Sequence, residues 1–460
     1  MEEYRGFKIF NLPPKYFALF AVVVLLSAML GVIPAGMAGC FAFMIVFGAI
    51  LQELGDRLPI VNTFLGGGPI VIIFGMGFLR YMNFFGVFDM FSGLIAKGGA
   101  GYTATLMKNI DSFFKPAGAF LDFYIAALIT GSILGMNRKL LMKAAARYFP
   151  AIFGAIAVSF GLAALAGHFS GFGVVKAILL ISLPIMGGGM GAGAVPLSKI
   201  FESSGTMTAE QAISIMNPAV AIGNATSIVL AGLLTKILVG KFFNGQGTLM
   251  KTGANDDPAE FDISPEMQAK RDNIKVTNLG IGMLAATSFF AWGYIVAGIW
   301  TKLVPAVNIH AYAWMIISVA LCKIFNVLPE FIEICCYQWF QFIMKNLTSA
   351  LMVGIGLCYL SLDVVIESFS MIYLLLCFLS CIGAFIGAGL VGAIVGFYPV
   401  EAGITAGLCM SNMGGTGDVA VLSAAHRMEL MPFAQISSRL GGAIILIIGS
   451  LMLSTLGSML

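Results

Sequence analysis

The sequence predicts an all-α integral membrane protein with about eleven transmembrane helices and two re-entrant hairpins in an inverted repeat. Of the 460 residues, 59% are hydrophobic and 10% are charged, whereas a soluble globular protein carries about 25% charged residues. Apolar runs of about 20 residues, long enough to cross a bilayer, recur along the chain. Two glycine-rich stretches interrupt apolar runs, GGGMGAGAVPLS at 187–198 and SNMGGTGDVAVLS at 411–423. The formal net charge of +3 is too small to indicate a nucleic-acid-binding protein.

The candidate spans account for most of the chain. They are 16–33, 36–51, 65–88, 119–136, 149–168, 212–236, 277–300, 309–327, 340–361, 370–397 and 431–456. Two apolar stretches remain, 174–200 and 400–423, and each has a glycine cluster in its middle. The two clusters share the pattern GG-x-G and lie 226 residues apart, about half of the chain, which indicates an internal repeat.

Basic residues in short loops indicate the side of the membrane on which each loop lies. The loop 137–147 has four basic residues and no acidic residue, so we expect it in the cytoplasm. Counting spans from this loop places the N-terminus in the cytoplasm, the stretch 174–200 on the outer side and the stretch 400–423 on the cytoplasmic side. The N-terminus lacks a small-residue cleavage site, so we expect an uncleaved inner-membrane protein. The loop 91–118 fits poorly, because it is expected outside and yet carries three lysines.

These positions divide the chain into four predicted parts. They are an N-terminal span at 1–35, a first repeat at 36–240 with the hairpin 174–200, a cytoplasmic linker at 241–276, and a second repeat at 277–460 with the hairpin 400–423. Each repeat would contain five spans, and because five is an odd number the two copies would point in opposite directions. Inverted repeats of this kind are common in secondary transporters.

Helices that are broken by glycine have a chemical use in a membrane. Every backbone N–H and C=O group in hydrocarbon needs a partner, so a broken helix persists only where it lines a cavity or is buried in protein. Freed amides at helix N-termini suit an anion such as a carboxylate, and freed carbonyls suit a cation such as Na⁺. We therefore expect the hairpins to meet and form one site for both. The alternative is that the glycines only permit close helix packing.

Several polar side chains lie in or beside the spans. Arg439 is inside the last span, where an arginine is costly and usually functional; the alternative is a structural partner such as Asp418. Asp418 itself could bind Na⁺ or cap a half-helix. Glu401 is expected to be a helix N-terminal acid that the helix dipole stabilises. Asn217 and Asn224 could line the cavity or bridge helices.

The remaining chemistry-bearing residues indicate no further site. His426 and Arg427 are expected to be solvated loop charges, and His168 and His310 to lie at the membrane interface. The eight cysteines form no CxxC pair, so we expect buried thiols rather than a zinc site or a disulfide framework. The glycines lack the context of a P-loop or of a dinucleotide site. We expect no enzymatic activity and no cofactor in this chain.

The glycine-rich stretches resemble the 2-hydroxycarboxylate transporter family, which includes bacterial sodium–citrate symporters and malate transporters. The strongest matches are LPIMGGGMGAGAVPLS at 183–198 and ITAGLCMSNMGGTGDVAVLSAAHRMELMPFAQISSRLGG at 404–442; GFKIFNLP, LITGSILGMNRKLL and HAYAWMI are similar too. The resemblance covers essentially the whole chain. It implies an eleven-span homodimer of the inner membrane, with oppositely oriented hairpins and an elevator-like motion of a transport domain against a dimer scaffold.

The resemblance also implies site residues. The substrate contacts of the citrate symporters match Met190, Gly191, Met413, Gly415, Thr416 and Arg439 of this chain, and their sodium-site positions match Ile185, Gly187, Met410 and Asn412. The citrate symporters have asparagine at the position of Met190 and arginine at the position of Met413. The loss of that arginine removes one positive charge from the site, so the resemblance favours a dicarboxylate such as malate over citrate.

Three functions are therefore open. The first is Na⁺-coupled symport of malate or a similar small 2-hydroxycarboxylate, and the second is citrate symport or the exchange of 2-hydroxycarboxylates. The third, of another class, is the membrane subunit of a Na⁺-pumping decarboxylase, which would require soluble partner subunits. For the transporter we expect four partners: a carboxylate substrate, Na⁺ as the coupling ion, the lipid bilayer and a second copy of the chain.

Overall fold

The structure is a computed structural model, and it describes most of the chain. The described residues are 7–59, 68–94, 101–114, 119–135, 138–249, 265–304, 311–358, 360, 362, 366, 370–414, 416–427 and 430–460. His310, Gly415 and much of the expected linker therefore lie outside the described residues. At Thr416 and Arg439 the structure describes the backbone alone.

Regular structure in the described residues is helical, apart from one isolated β-bridge between Ile9 and Leu12. The helices of eight or more residues are Pro14–Met29, Met37–Arg57, Gly68–Tyr81, Tyr102–Phe114, Phe120–Leu134, Arg138–Phe169, Val195–Ser203, Ala209–Ile237, Pro265–Asp272, Val276–Leu303, Ala311–Ile324, Glu330–Cys358, Met371–Ile394, Thr416–Ala424 and Gly442–Leu456.

Each of the eleven expected spans overlaps helical structure, but the helices differ in length. Among the described residues, seven helices are long and apolar enough to cross a membrane. An eighth crossing results if Val71–Tyr81 and Phe84–Leu94, which meet at a bend of 58°, form one span. The remaining expected spans correspond to shorter apolar helices at 14–29, 120–134 and 314–324. The chain is therefore a multi-pass membrane protein, and the count of eleven stays a prediction.

The loop 91–118, which fitted the charge pattern poorly, contains the helix Tyr102–Phe114. Leu106, Ile110 and Phe114 lie on one buried face of this helix, at the i, i+4, i+8 spacing of an amphipathic helix. Lys108 falls between these positions, so it does not share the apolar face. Lys108 therefore belongs to the polar face of a helix rather than to a short connecting loop.

The chain forms two compact units. One consists of Met1–Tyr124 and Met344–Asp363, and the other of Ile125–Ile343 and Val364–Leu460. Each unit therefore takes residues from both expected repeats. The second unit contains both glycine-rich stretches.

In the second unit, the helices that precede the two glycine-rich stretches pack directly on each other. A Cβ atom on Gly387 of helix 371–394 would overlap the carbonyl oxygen of Gly154 in helix 138–169. One turn and a half further along, the hydroxyl of Ser159 donates to the carbonyl oxygen of Ser380 at 2.9 Å. Small residues permit this close helix contact. Two elements related by a two-fold axis would meet in this way, although the inverted repeat itself stays a prediction.

The two glycine-rich stretches are anchored at opposite ends of the helix Ala209–Ile237. The first runs into the N-terminus of this helix, where Thr208 forms a capping box with Gln211. The second begins beside the loop that follows the C-terminus, since the amide of Tyr398 donates to the carbonyl oxygen of Leu249 at 2.8 Å. The 29 residues of the helix span about 43 Å, so the two anchoring points are far apart.

Candidate functional site

The first glycine-rich stretch is a broken helix. It contains α-helical turns at Val174–Lys176 and Leu183–Ile185, a π-helical turn at Ala177–Ser182 between them, and then a break at 186–189. Helical structure resumes with a π-helical turn at Met190–Ala194 and the α-helix Val195–Ser203. We name residues 174–203 the first broken segment and residues 186–190 its tip.

The second glycine-rich stretch repeats this plan. Pro399–Ala402 is followed by a π-helical turn at Gly403–Leu408, a break, and the helix Thr416–Ala424. Gly403 follows Ala177 by the same 226 positions that separate the glycine clusters. π-Helical turns are rare and concentrate at functional sites, so their recurrence at this interval strengthens the evidence for a repeat. We name residues 399–424 the second broken segment and residues 410–414 its tip.

The two tips touch each other through their backbones. A Cβ atom on Gly189 would overlap the carbonyl oxygen of Met413, and a Cβ atom on Gly414 would lie 2.9 Å from the carbonyl oxygen of Gly188. Gly188, Gly189 and Gly414 have φ angles of 75°, 110° and 64°, which residues other than glycine rarely adopt. The glycines therefore serve both the turn and the contact, and the expectation that the two stretches meet agrees with this geometry.

The helical segment 431–456, which we name the last helix, completes the contact. It contains a π-helical turn at Ser437–Gly441, and the carbonyl oxygen of Ser438 occupies the position that a Cβ atom on Gly188 would need. A Cβ atom on Gly442 would lie 2.7 Å from the carbonyl oxygen of Gly187. Arg439 is thus on a turn whose backbone contacts the tip of the first broken segment.

The helix Ala209–Ile237 supports both broken segments from another side. A Cβ atom on Gly223 would lie 3.0 Å from the Ile185 side chain and 3.4 Å from the carbonyl oxygen of Ser411. The adjacent Asn224 accepts a hydrogen bond from the amide of Met413 at 3.2 Å. Asn224 therefore bridges elements, as one of the two sequence hypotheses proposed.

A buried polar network includes Asn412 of the second tip. Asn412 donates from Nδ2 to Asp418 at 3.0 Å and accepts at Oδ1 from the amide of Gly414 at 2.6 Å. The other oxygen of Asp418 accepts from the Ser438 hydroxyl at 2.8 Å. All three side chains are at most 3% exposed. The network holds a carboxylate inside the protein and joins the second tip to the last helix.

The structure brings most of the expected site residues together. Met190 is 3% exposed and Met413 is half-buried, and each lies in its tip. Among the expected sodium-site residues, Ile185 contacts Gly223 and Gly187 contacts Gly442. Met410 packs on Gly441, because a Cβ atom built on Gly441 would lie 2.8 Å from the Met410 sulfur. Gly191 follows Met190 directly, and Asn412 belongs to the polar network. Their binding roles stay predictions.

The expectation that Arg427 is a solvated charge is wrong. Arg427 is 7% exposed, and its Nε donates to Glu401 at 3.3 Å. Glu401, which is fully buried, also accepts from the amides of Gly245 at 2.7 Å and Gly247 at 3.2 Å. Its carboxylate thus binds donors from other parts of the chain, a role beyond the expected interaction with its own helix dipole. The neighbouring His426 is exposed, as expected.

The expectation that the cysteines are buried agrees with the structure. All except Cys322 are buried, and all eight are free thiols. Among the described residues, no group of three or more His, Cys, Asp and Glu side chains is arranged to hold a metal ion. The polar groups at the second tip include the Asn412 amide, the Ser438 hydroxyl and the Asp418 carboxylate, together with the backbone.

Comparisons with known proteins agree with this architecture. The 2-hydroxycarboxylate transporter family matches residues 9–451. The citrate/sodium symporter of Salmonella typhimurium is 36% identical over 456 residues, covering 97% of this chain and 95% of that protein. The malate transporter MleP of Lactococcus lactis is 34% identical over 456 residues, covering 98% and 99%. The citrate transporter CitP of Leuconostoc mesenteroides is 34% identical over 438 residues, covering 95% and 92%. The chain belongs to the 2-hydroxycarboxylate transporter family.

Proposed function

We propose that this 2-hydroxycarboxylate transporter is a Na⁺-coupled symporter whose preferred substrate is malate or a similar small dicarboxylate. The observation that carries the proposal is the contact between the two broken segments. Their tips meet at backbone distance, and the buried carboxylate of Asp418 is hydrogen-bonded to Asn412 of the second tip. Freed backbone amides suit the carboxylates of the substrate, and freed carbonyls suit Na⁺. The relatives named as citrate/sodium symporters support Na⁺ as the coupling ion.

The charge of the tips supports a dicarboxylate. The resemblance assigns substrate contacts to Met190 and Met413, and both are uncharged. Arg439 is the one cation among the residues assigned to the substrate, and its guanidinium can pair both oxygens of one carboxylate. The second carboxylate of malate can bind at helix N-termini, whereas the third carboxylate of citrate lacks a matching positive charge. Preference for citrate in transport assays would overturn this assignment.

The oxygen atoms around the second tip supply a site for Na⁺ coupling. Asp418 provides the negative charge, and Asn412 and Ser438 hold its two oxygens in place. The other Na⁺ ligands are backbone carbonyl oxygens of Ile185, Gly187 and Met410. Bound Na⁺ would neutralise the negative charge of Asp418 and so reduce its repulsion of an anionic substrate. The binding of Na⁺ therefore favours the binding of the carboxylate, which couples the transport of the two.

Contacts at the ends of the helices support the proposed topology. Arg138 donates from Nε to the carbonyl oxygen of Ile324 at 3.0 Å, and Arg271 donates from Nη2 to the carbonyl oxygen of Gly135 at 2.6 Å. Counting spans places these residues, which come from three separate parts of the chain, on the cytoplasmic side. We propose a homodimer in the bacterial inner membrane with a cytoplasmic N-terminus, broken segments that enter from opposite faces, and an elevator-type motion.

Uptake by proteoliposomes tests the function directly. The purified chain is reconstituted, and uptake of labelled malate and of labelled citrate is measured with an inward Na⁺ gradient, with an equal K⁺ gradient, and with a proton gradient. We expect malate uptake that requires Na⁺ and that unlabelled citrate inhibits weakly. Equal uptake in Na⁺ and K⁺ would overturn sodium coupling, and uptake only against internal carboxylate would identify an exchanger.

Labelling of single cysteines tests the topology. Ser203 and His426 are exposed and lie at the bases of the first and second broken segments. In a variant without native cysteines, Ser203→Cys should react with a membrane-impermeant maleimide from the outside and His426→Cys from the inside. Reaction of both from the same side would contradict opposite entry.

A further inference from the structure

Asn224 places an amide group against the second tip from the helix Ala209–Ile237. Its side chain is fully buried. Its Oδ1 accepts the hydrogen bond from the amide of Met413 at 3.2 Å and would lie 2.9 Å from a Cβ atom on Gly417. The amide therefore lies between the tip and the first turn of the helix Thr416–Ala424.

The orientation of this amide follows from its partner. A backbone N–H can only donate, so the atom of Asn224 that faces Met413 must be the oxygen. The NH₂ group then points away from that bond. Nδ2 is enclosed and has no hydrogen-bond partner among the described residues. Buried amide groups without a partner are costly and call for an explanation.

We propose that Asn224 is a further substrate-binding residue, whose Nδ2 donates to a carboxylate or hydroxyl oxygen of the bound 2-hydroxycarboxylate while Oδ1 holds the second tip. The inference rests on the proposed function. An NH₂ group offers two donors and no lone pair for a cation, so it serves the anion and not Na⁺. Asn224 lies beside the N-terminus of the helix Thr416–Ala424, where free backbone N–H groups can also donate to an anion.

Asn217 supplies a matched control on the same helix. It is also fully buried, and both polar atoms of its amide lack a partner among the described residues. It precedes Asn224 by seven residues, which puts it on the same helix face about 10 Å away. The structure shows no hydrogen bond between Asn217 and the described residues of either tip. Asn217→Asp therefore introduces the same buried charge at a position that makes no hydrogen bond to either tip in the described part of the chain, and so measures the effect of the charge alone.

The experiment compares Asn224→Asp, Asn224→Ala and Asn217→Asp with the wild type in Na⁺-driven uptake of malate by proteoliposomes. Asn224→Asp keeps an acceptor for the amide of Met413 and replaces the two donors by an anionic oxygen. We expect its KM for malate to rise at least tenfold, while the Na⁺ concentration for half-maximal uptake does not rise. Asn224→Ala should also raise KM, and Asn217→Asp should change it by less than twofold.

Two outcomes overturn the inference. If Asn224→Asp retains the wild-type KM and only Asn224→Ala is impaired, Asn224 merely holds the tip. If Asn224→Asp and Asn217→Asp are impaired equally, the effect is one of buried charge. Should the aspartate variant fail to insert, Asn224→Ser removes the NH₂ group without a charge and must raise KM for the inference to stand. A wild type that transports no 2-hydroxycarboxylate would instead refute the proposed function.

Discussion

Glu401 joins the base of the second broken segment to the loop after helix 209–237, and we predict that Glu401→Ala destabilises the protein by about 3–5 kcal/mol. The carboxylate accepts hydrogen bonds from the amides of Gly245 and Gly247 and pairs with Arg427 at 3.3 Å. Arg427 in turn donates to Asn244 at 3.1 Å. One side chain thus connects the start of the segment, the turn after it, and a loop more than 150 positions earlier in the chain.

The magnitude follows from what the substitution leaves behind. Removing one partner of a buried ion pair costs about 3–5 kcal/mol, because the other charge stays buried without compensation. The two amides lose their acceptor as well, and each buried unsatisfied group costs about 1–3 kcal/mol unless water replaces the carboxylate. These terms overlap, so we take the ion-pair range as the expected total. Glu401→Gln keeps an acceptor for the amides and should therefore cost less than Glu401→Ala.

Thermal unfolding in detergent measures the effect, with Glu330→Ala as the control. Glu330 pairs with Lys270 at 2.8 Å, but both side chains are about half exposed, and exposed pairs contribute about 0–1 kcal/mol. At roughly 2 °C per kcal/mol, Glu401→Ala should lower the midpoint by roughly 6–10 °C and Glu330→Ala by at most about 2 °C. Equal shifts in the two variants would show that the buried cluster does not hold the segment.

Three further variants test the contact between the tips and the substrate contacts assigned to Arg439, Met413 and Met190. Gly189→Ala should abolish uptake in a protein that still inserts, because φ is 110° there and the new Cβ would overlap the carbonyl oxygen of Met413; wild-type uptake would refute the contact. Arg439→Lys should raise the KM for malate, because an ammonium cannot pair two carboxylate oxygens in the manner of a guanidinium; an unchanged KM would remove Arg439 from the substrate site. Met413→Arg combined with Met190→Asn should shift preference from malate toward citrate by roughly tenfold, equivalent to about 1.4 kcal/mol, as competition against labelled malate would show; a variant that folds and keeps its preference for malate would contradict the charge argument.

The sequence was sufficient to locate the breaks and to predict that they meet. Glycine clusters inside apolar runs are local signals, and a freed backbone in a membrane must be buried in protein or line a cavity. Two such segments in one chain were therefore expected to pack against each other. The contacts of Gly189 with Met413 and of Gly188 with Gly414 agree with that reasoning at the level of single residues.

The environment of Arg427 could not be predicted in the same way. Arg427 follows an exposed histidine in a short turn, and a charge in such a turn is usually solvated. Its partner Glu401 lies 26 positions earlier, at the other end of the broken segment, and the amides that share this carboxylate lie more than 150 positions earlier. Only the three-dimensional fold brings these groups together. The π-helical turns could not be predicted from the glycine pattern either. Such turns depend on the hydrogen-bond register of the backbone rather than on residue type.

The helix Ala209–Ile237 shows why the two tips should move as one body. Gly223 contacts Ile185 before the first break and Ser411 before the second, and the adjacent Asn224 binds the amide of Met413. The tips also touch each other at backbone distance, so a hinge in one broken segment would disrupt contacts to the other segment and to the helix at once. Packed contacts of this kind resist gradual deformation, whereas a displacement of the whole group preserves them. Alternating access by a joint movement of both segments with their supporting helix therefore costs less than the opening of either segment alone, which supports the proposed elevator-type motion.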